Sequence, residues 1–404
     1  MSTSLLYHGW GLHGYRHESS RYEGGTVIFR ISKHDDDLRC PSCDHPHVQR
    51  QGAVVRSFKT LPIGSKPVVL ELPVPRVWCP ACGVTRQVRI GFADEHRRYT
   101  RAFERYALEL SRFGTIQSVA RHLGVGWDTI KDIQKRYLQK HFAKPQLGRL
   151  ERIAIDEISI GRHHKYVTLV LDLDSGAVVF VGEGKGCESL KPFWQRLSRS
   201  RAKILAVATD MSPAYVLAVA QHLPDAVHVL DPFHVIKLFN DKLADLRRQV
   251  QRTAQDVEQK KTIKGTLWLL LKNPQNLDDT RNERKRLDEA LRINQPLAAA
   301  YYMKEDLRQF WSQGSRKNAE RFLDDWIKRA EVSGVTMLQK FAKTLQLHRA
   351  GLLNWYKQPI STGKLEGTNN KIRTFQRQAY GFRDHDFFKL KIYALHTTTY
   401  ALVG

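Results

Sequence analysis

Four of the five cysteines stand in two Cys-x-x-Cys pairs, and this spacing limits the possible folds of the N-terminal part of the chain. The pairs are Cys40 with Cys43 and Cys79 with Cys82. Four thiolates at this spacing suit a tetrahedral zinc ion. Between the pairs, residues 54–62 and 66–78 alternate and are rich in valine, which is typical of β-strands. We therefore predict a zinc ribbon whose knuckles are joined by a β-hairpin.

The alternatives to this four-cysteine site are weaker. His45 and His47 follow the first pair and could compete as ligands, although four cysteines need neither. Four unrelated free thiols would not explain the repeated spacing. Cys187 stands alone with no motif around it. A zinc ion with four protein ligands has no open position for water, so we expect one structural Zn²⁺.

The charge balance of the chain predicts a polyanionic partner. The 404 residues contain 65 Lys and Arg against 41 Asp and Glu, which gives a net charge of +24 and a pI near 9.9. An excess of this size, spread through folded-looking sequence, favours nucleic acid. The longest aliphatic run, 267–271, is too short to cross a membrane, and the N-terminus lacks a leader pattern. We expect a cytoplasmic protein with no membrane partner.

A helix-turn-helix is predicted over residues 115–136. Val119, Ala120 and Leu123 give a short helix an apolar face, Gly124 breaks that helix, and Ile130 starts the apolar face of a second one. Such a second helix can lie in the major groove of DNA. Any helical hairpin with a glycine turn is the alternative interpretation. The predicted DNA contacts on the second helix are Trp127, Lys131, Lys135 and Arg136.

From residue 151 the pattern predicts a mixed α/β core. Three strands, 152–160, 165–174 and 177–184, precede a helix, a fourth strand over 203–210, another helix and a fifth strand near 227. Asp156 lies within the first strand and Asp210 ends the fourth, where ligand sites in such sheets gather. Other acids compete with them for a functional role, and Glu157 is expected on the opposite strand face. The other competing acids are Asp172, Asp174 and Glu183.

Glu366 is an acid in a basic segment, and a bound cation would explain it. Ser361 or Thr362 can cap a helix over about 364–377, on which Glu366 and Arg373 share a face. Two Asp and one Glu can hold a pair of Mg²⁺ ions about 3.5–4 Å apart around a scissile phosphate. The neighbouring polar and basic residues would then contact backbone phosphates. These are Asn370, Lys371 and Arg373.

In combination, these motifs resemble the ISL-three family of bacterial insertion-sequence transposases over nearly the whole chain. The resemblance rests on the knuckles, the helix-turn-helix, AIDEISIG, VATDMSPAY, LDPFHVIK and STGKLEGTNNKIR. It implies an RNase H-like core with a catalytic DDE triad at Asp156, Asp210 and Glu366. It also implies a basic residue at Arg373 and supporting roles for Asp231 and His234, for which packing is the alternative.

The expected organisation is a multidomain α/β protein. Its predicted parts are a zinc-ribbon DNA-binding domain (1–95), a helix-turn-helix domain (96–148), an RNase H-like core (149–236 and 346–404) and an all-helical insertion (237–345). In the insertion, Trp268, Trp311 and Trp326 are expected in the core. The surplus of basic residues there permits DNA contact or pairing with a second protomer.

The predicted function is a DNA transposase acting on double-stranded DNA. It would bind the terminal inverted repeats of its element, cleave them with two Mg²⁺ or Mn²⁺ ions, and transfer a 3′-OH into target DNA. Two ends in one complex imply a dimer or larger assembly, working in a bacterial cytoplasm at the nucleoid. One alternative is a non-catalytic DNA-binding regulator. The other is an RNase H-like structure-specific nuclease, which would not need a two-part DNA reader.

Overall fold

The computed structural model describes residues 4–34, 37–161 and 165–396. The chain divides into two compact units, one ending at His141 and the other beginning at Phe142. Sixteen α-helices and ten β-strands lie within the described residues. None of those helices is long and apolar enough to span a bilayer.

The first unit contains a five-stranded sheet. A short helix, α1 (Leu5–Trp10), precedes it, and the strands follow the order β1-β2-β4-β3, with β5 also paired to β4. The predicted hairpin is confirmed, because β3 and β4 are antiparallel between the two cysteine pairs. Sequence analysis did not predict the β1–β2 hairpin. The strands are β1 (Tyr15–Glu23), β2 (Thr26–Lys33), β3 (Gln49–Ile63), β4 (Lys66–Trp78) and β5 (Thr85–Gln87).

Three helices complete this unit, namely α2 (Arg101–Leu110), α3 (Ile116–Leu123) and α4 (Trp127–Phe142). The predicted helix-turn-helix is confirmed in α3 and α4. The Thr115 side chain caps α3 by accepting from the Ser118 backbone N–H. Gly124 ends α3 in the left-handed region with φ of 58°, and Val125 donates back to the Ala120 carbonyl at 2.9 Å. This tight turn lets the two helices bury their apolar faces together.

The second unit begins with the predicted mixed sheet, in the order β10-β9-β6-β7-β8. The pairs β6–β7 and β7–β8 are antiparallel. The pairs β6–β9 and β9–β10 are parallel. The predicted strands and both helices are therefore present. The elements are β6 (Arg152–Gly161), β7 (Lys165–Asp172), β8 (Val178–Glu183), α5 (Cys187–Ser198), β9 (Ala206–Thr209), α6 (Pro213–His222) and β10 (Val227–Leu230).

This sheet is covered on both faces. Ile153 and Ile155 on one face of β6 pack in a cluster with residues of α5 and α6. Ala154 and Ile158 on the other face pack with two helices from the C-terminal end, α15 (Gly363–Gln378) and α16 (His385–Tyr393). Because side chains alternate along a strand, Asp156 belongs to the α15 face and Glu157 to the α6 face.

Eight helices separate α6 from α15 along the chain, and their apolar residues form one cluster running from Leu230 to Leu353. This cluster extends beyond the predicted insertion limits of 237 and 345. The first helix, α7, is long and leads directly from the sheet into the cluster. The eight are α7 (Pro232–Thr253), α8 (Val257–Lys264), α9 (Leu267–Leu271), α10 (Glu283–Ile293), α11 (Gln295–Arg308), α12 (Arg316–Val332), α13 (Thr336–Leu347) and α14 (Arg349–Leu353).

The three tryptophans of this region differ in their environment. Trp326 is fully buried and donates its ring N–H to the Met303 carbonyl at 2.9 Å, as expected of a core residue. Trp311 is partly buried against the same cluster. The prediction for Trp268 is wrong, because its side chain is 72% exposed. Its neighbours Leu269 and Leu270 take the inward positions of the short helix α9 instead.

Candidate metal centre and carboxylate site

The four paired cysteines come together at one point. The sulfur atoms of Cys40 and Cys82 lie 3.6 Å apart, as do those of Cys43 and Cys79, and all four lie within 4.8 Å of one another. Tetrahedral zinc with Zn–S bonds of about 2.3 Å places its sulfurs about 3.8 Å apart. Backbone N–H groups lower the pKa of Cys40 to about 6, whereas burial and the neighbouring thiols raise the pKa values of Cys43 and Cys82 despite their own backbone hydrogen bonds. A bound cation would favour the thiolate form that zinc binding requires of all four. The donor set fits one structural zinc ion.

The two knuckles share the same backbone geometry. The residue after the second cysteine adopts a left-handed conformation in each, with φ of 59° at Asp44 and 67° at Gly83. The N–H groups of these two residues donate to the carbonyls of Cys40 and Cys79, respectively. The ring Nδ1 of His45 contacts the backbone of His47 rather than a cysteine, in keeping with a site that needs no histidine.

In the second unit, the strand register brings three aspartates to one edge of the sheet. Ala154 on β6 pairs with Ala208 on β9, and Ala208 pairs with Val229 on β10. Two residues further along each strand stand Asp156, Asp210 and Asp231. Because the three strands are parallel, the aspartates lie at the same level of the sheet.

Of the two predicted catalytic aspartates, Asp156 has side-chain contacts to both of its carboxylate oxygens. Its Oδ2 accepts a hydrogen bond from the Asn369 side-chain amide at 3.0 Å, and its Oδ1 lies 3.9 Å from His234 Nε2. Burial raises the pKa of Asp156, and the negative charge of Asp210 adds to the rise, while His234 opposes it. Asp210 follows β9 and accepts from the Ser212 backbone N–H at 2.9 Å. The two carboxylates are therefore close enough to interact electrostatically.

Asp231 connects the start of α7 with the start of α15. Its carboxylate is fully buried and accepts from the Thr362 backbone N–H at 2.9 Å and hydroxyl at 2.7 Å. It also contacts the ring Nδ1 of His234 at 3.1 Å. Thr362 was predicted to cap α15, and it occupies that position, but its hydroxyl bonds to Asp231 instead of an α15 amide.

Asp231 and His234 influence each other's protonation. Burial raises the pKa of Asp231, but hydrogen bonds from His234 and Thr362 outweigh this, so the net pKa is lowered. Burial lowers the pKa of His234, but Asp231 and Asp156 outweigh this, so the net pKa is raised. Each of the two groups therefore stabilises the charged form of the other, and the His234 ring also lies 3.9 Å from Asp156.

Glu366 lies in the first turn of α15 and is half-buried. Within the described ranges, the cysteines are the only group of three or more Cys, His, Asp or Glu whose ligand atoms lie within 4.8 Å of one another. The carboxylates of Asp156, Asp210 and Glu366 are therefore not gathered as closely as the thiols. Glu366 lies on the same helix as Asn369, three residues before it, and Asn369 bonds to Asp156.

The competing acids have other contacts. Glu157 accepts from the Tyr215 hydroxyl at 2.7 Å on the opposite face of β6 from Asp156, as predicted. Asp172 accepts from backbone N–H groups of the turn after β7, and Asp174 pairs with Arg152. Glu183 is an exposed residue at the end of β8. Cys187 donates its thiol to the Ala214 carbonyl and is not a member of the four-cysteine group.

The predicted DNA contacts on α15 face outward. Asn370, Lys371 and Arg373 are all exposed, and Arg373 donates to the Asn370 side-chain oxygen at 3.3 Å. On α4, Trp127 is exposed, and the Lys131 ammonium lies 5.4 Å from the centre of its ring. Lys135 is half-buried on the same helix.

Arg136 differs from the other predicted contacts on α4. Its guanidinium donates to Glu104 at 2.8 Å and to the Tyr99 hydroxyl at 3.0 Å. These contacts connect α4 to α2 and to the segment just before α2. Arg136 therefore has a structural role inside its unit, and its predicted contact with DNA stays a prediction.

Thr362 and Asn369 are two site residues that the sequence does not predict. The sequence indicates Thr362 only as a possible helix cap, and it indicates Asn370 rather than Asn369 as a contact residue. The signal for Asn369 was its position three residues after Glu366, which places both on one face of a helix. No local signal pairs Thr362 with Asp231, since 131 residues separate them.

Comparison with known families places this chain among the transposases. Residues 153–392 match a family model for the DDE transposase of the ISL3 type, described as "Transposase". Residues 88–138 match the "Helix-turn-helix domain of transposase family ISL3", and residues 37–82 match the "zinc-finger of transposase IS204/IS1001/IS1096/IS1165". The enzyme is therefore a DDE-type transposase, with a zinc ribbon and a helix-turn-helix preceding a mixed sheet and helical core.

Full-length relatives agree with the family models. The chain is 34% identical to the transposase for insertion sequence element IS1001 of Bordetella parapertussis, over 96% of each chain. It is 30% identical to the transposase for insertion sequence element IS1557 of Mycobacterium tuberculosis, over 91% of this chain and 87% of the relative. This protein belongs to the ISL3 family of transposases.

A solved structure also shows a distant likeness. It is the strand transfer complex of the Drosophila P element transposase, at 11% identity and a TM-score of 0.39. The match covers 74% of this chain and 92% of that one. A likeness at this score is too weak to define the fold.

Proposed function

We propose that this transposase binds the terminal inverted repeats of its own insertion sequence, cleaves the DNA there and transfers the freed 3′-OH ends into target DNA. The observation that carries the proposal is the group of Asp156, Asp210 and Asp231 at one sheet edge, with α15 bonded to two of them. Burial and the negative charge of Asp210 raise the pKa of Asp156, and acidic groups with perturbed pKa values are typical of functional sites.

We assign the catalytic triad to Asp156, Asp210 and Glu366. Carboxylate oxygens are the donors that Mg²⁺ and Mn²⁺ prefer, so the three side chains fit two such ions. When bound, paired ions activate the attacking oxygen and stabilise the leaving one. Asp231 holds the start of α15, and thereby Glu366, against the edge of the sheet. His234 balances the charge of Asp156 from its other side.

We interpret the catalytic core as RNase H-like, built from residues 149–236 and 346–404 and interrupted by a helical insertion at 237–345. Three antiparallel strands followed by two parallel ones, with acids on the first and fourth strands, support this interpretation. The return of the chain at α15, next to β6, is what an insertion between two parts of one core requires.

We assign DNA recognition to the zinc ribbon of residues 1–95 and the helix-turn-helix of residues 96–148. Helix α4 presents Trp127, Lys131 and Lys135 on its surface, which suits insertion into a groove. On α15, Asn370, Lys371 and Arg373 are placed to contact phosphates on either side of the bond that is cut. The net charge of +24 supports both roles.

Both element ends must be joined in one complex, so we propose that the protein acts as a homodimer or larger assembly on DNA. Since its substrate is double-stranded DNA, we further propose that it works in the bacterial cytoplasm, associated with the nucleoid. A single protomer would have no means of holding two ends at once.

The test is cleavage and strand transfer on labelled duplexes that carry the candidate element ends, with Mg²⁺ or Mn²⁺. Wild type is compared with Glu366→Gln, which keeps the shape and removes the charge. We expect the variant to bind the ends like wild type and to cleave them at least about a hundredfold more slowly. Binding without cleavage in both proteins would instead indicate a DNA-binding regulator. Cleavage of branched DNA without strand transfer would indicate a structure-specific nuclease.

A further inference from the structure

Asn369 is a buried polar residue in the middle of the carboxylate site. It lies on α15, is only 5% exposed, and donates its amide Nδ2 to Asp156 Oδ2 at 3.0 Å. Its amide oxygen is also buried, and no residue in the described parts of the chain donates to it. A buried amide oxygen that lacks a donor is unfavourable and needs a specific reason.

The orientation of this amide is fixed by its partner. An ionised carboxylate only accepts hydrogen bonds, so the nitrogen of Asn369 must face Asp156. Turning the amide over would place two oxygens against each other. The buried oxygen therefore points away from Asp156.

Asn369 also neighbours the third carboxylate of the proposed triad along α15. Glu366 and Asn369 are three residues apart, so their side chains are neighbours on one helix face, with Cβ atoms about 5–6 Å apart. The orientation of α15 is set by Leu365 and Ile372, which are fully buried against the sheet. Asn369 therefore bonds to Asp156, the first member of the proposed triad, and is a helix neighbour of Glu366, the third.

We propose that Asn369 is a positioning residue of this site, with two separate tasks. Its amide nitrogen fixes Oδ2 of Asp156, and its amide oxygen accepts a hydrogen bond from a water ligand of the divalent cation held by Asp156 and Glu366. The inference rests on the proposed function, because it requires a cation at the carboxylate site. This proposal gives a hydrogen-bond partner to both the nitrogen and the oxygen of the Asn369 amide. A purely structural role accounts only for the hydrogen bond of the nitrogen.

The neighbouring residue Asn370 provides a matched control. Asn370 is exposed, accepts from Arg373 at 3.3 Å and faces away from the aspartates. The same substitution at the two positions thus removes the same groups from the same helix. Of the two asparagines, Asn369 is the one that bonds to Asp156.

The experiment measures Mn²⁺ binding by the full-length, zinc-loaded chain without DNA, using the electron paramagnetic resonance signal of free Mn²⁺. The proteins are wild type, Asp156→Asn, Asn369→Leu and Asn370→Leu. We expect wild-type binding to be lost in Asp156→Asn and weakened about 10- to 100-fold in Asn369→Leu, as for other residues that orient metal ligands. Asn370→Leu should bind like wild type. If Asn369→Leu does not fold, Asn369→Ala removes the same groups without added bulk.

The outcomes separate this inference from the function on which it rests. Unchanged Mn²⁺ affinity in the Asn369 variant, with binding lost in Asp156→Asn, overturns the role of Asn369 and leaves the proposed function intact. Equal weakening in the Asn369 and Asn370 variants also overturns it. Wild-type protein that binds no Mn²⁺ dependent on Asp156 overturns the proposed function, and the inference with it.

Discussion

The two ligand clusters of this transposase differ in how completely the chain assembles them. The four thiols of the zinc ribbon lie within 4.8 Å of one another, whereas the three carboxylates of the proposed triad are not gathered that closely. Each cysteine pair sits on one tight turn, so local backbone geometry positions both sulfurs. The carboxylates come from two strands and a distant helix, and their negative charges repel one another. We therefore expect permanent occupancy at the zinc site and exchange of ions at the proposed carboxylate site.

The largest expected effect tests the structural site. Cys79→Ser removes a fully buried ligand and should abolish zinc binding, which contributes on the order of 10 kcal/mol to folding in small zinc domains. We expect less than one zinc ion per chain and rapid hydrogen exchange in β3 and β4. Colorimetric zinc analysis and exchange mass spectrometry measure both.

The control for this change is Cys187→Ser, which should keep one zinc ion and the wild-type exchange pattern. A Cys79→Ser protein that still holds zinc with protected strands would contradict the four-cysteine assignment. His45 or His47 would then be a replacement ligand.

The second largest effect tests the hydrogen bonds by which Asp231 holds the start of α15. Asp231→Ala leaves the buried donors of Thr362 and His234 without an acceptor, so we expect a loss of about 3–5 kcal/mol. Hydrogen exchange of the first turn of α15 should rise, because Asp231 accepts from the Thr362 backbone N–H. The exposed Asp225→Ala is the control and should change little.

The stabilising contribution of Asp231 should depend on pH in a definite direction. The pKa of Asp231 is lowered in the folded protein, so its charge stabilises the fold above the ordinary pKa of about 3.9. That contribution is lost as the pH falls through the lowered value. A difference between wild type and Asp231→Ala that grows as the pH falls below about 3.9 would contradict the assigned contacts.

A smaller effect, of opposite sign, is expected at Asp156. Burial raises the pKa of this carboxyl, so its ionised form destabilises the fold at neutral pH. Asp156→Asn should therefore unfold at a higher temperature than wild type at pH 7 while losing cleavage. The gain should disappear as the pH falls below about 3.9, where Asp is protonated even when unfolded.

Thermal unfolding followed by circular dichroism at several pH values, in the absence of divalent ions, measures this gain. The exposed Asp225→Asn serves as the control. A loss of stability in Asp156→Asn at pH 7 would mean that Asp156, like the cysteines, is primarily structural. The contrast between the two clusters would then fail.

The smallest expected effect is a change in DNA affinity without a change in the rate of DNA cleavage. Lys131→Ala on α4 should weaken binding to all duplexes to a similar extent and reduce the slope of affinity against salt by about 1. Cleavage at saturating protein should not change. Fluorescence anisotropy at several salt concentrations measures this, with the exposed Lys140→Ala at the end of α4 as the control. Equal effects of the two variants would remove Lys131 from the DNA interface.

Local features of this molecule could be predicted from the sequence. The cysteine pairs, the glycine turn of the helix-turn-helix and the apolar strands each act over a few residues, and the structure confirms them. Strand β1 was missed because its residues are nearly all exposed and polar, which leaves no apolar alternation. Trp268 was misplaced because composition alone does not reveal which side of a short helix faces the core.

The contacts that shape the carboxylate site lay beyond sequence reasoning. Asn369 bonds to Asp156 across 213 residues, and Thr362 bonds to Asp231 across 131. No periodicity in the chain records such pairs, because they depend on how the helices between α6 and α15 return the chain to the sheet. The assignment of Glu366 and of the domain limits accordingly stays a prediction.

The bond between Asn369 and Asp156 also has a consequence for protein synthesis. A ribosome adds about 5–20 residues per second, and N-terminal domains fold first. The zinc ribbon and helix-turn-helix therefore emerge and fold while the partner helix of Asp156 has still to be translated. Any nascent or prematurely terminated chain that stops before α15 would contain the zinc ribbon and the helix-turn-helix but only part of the proposed carboxylate site.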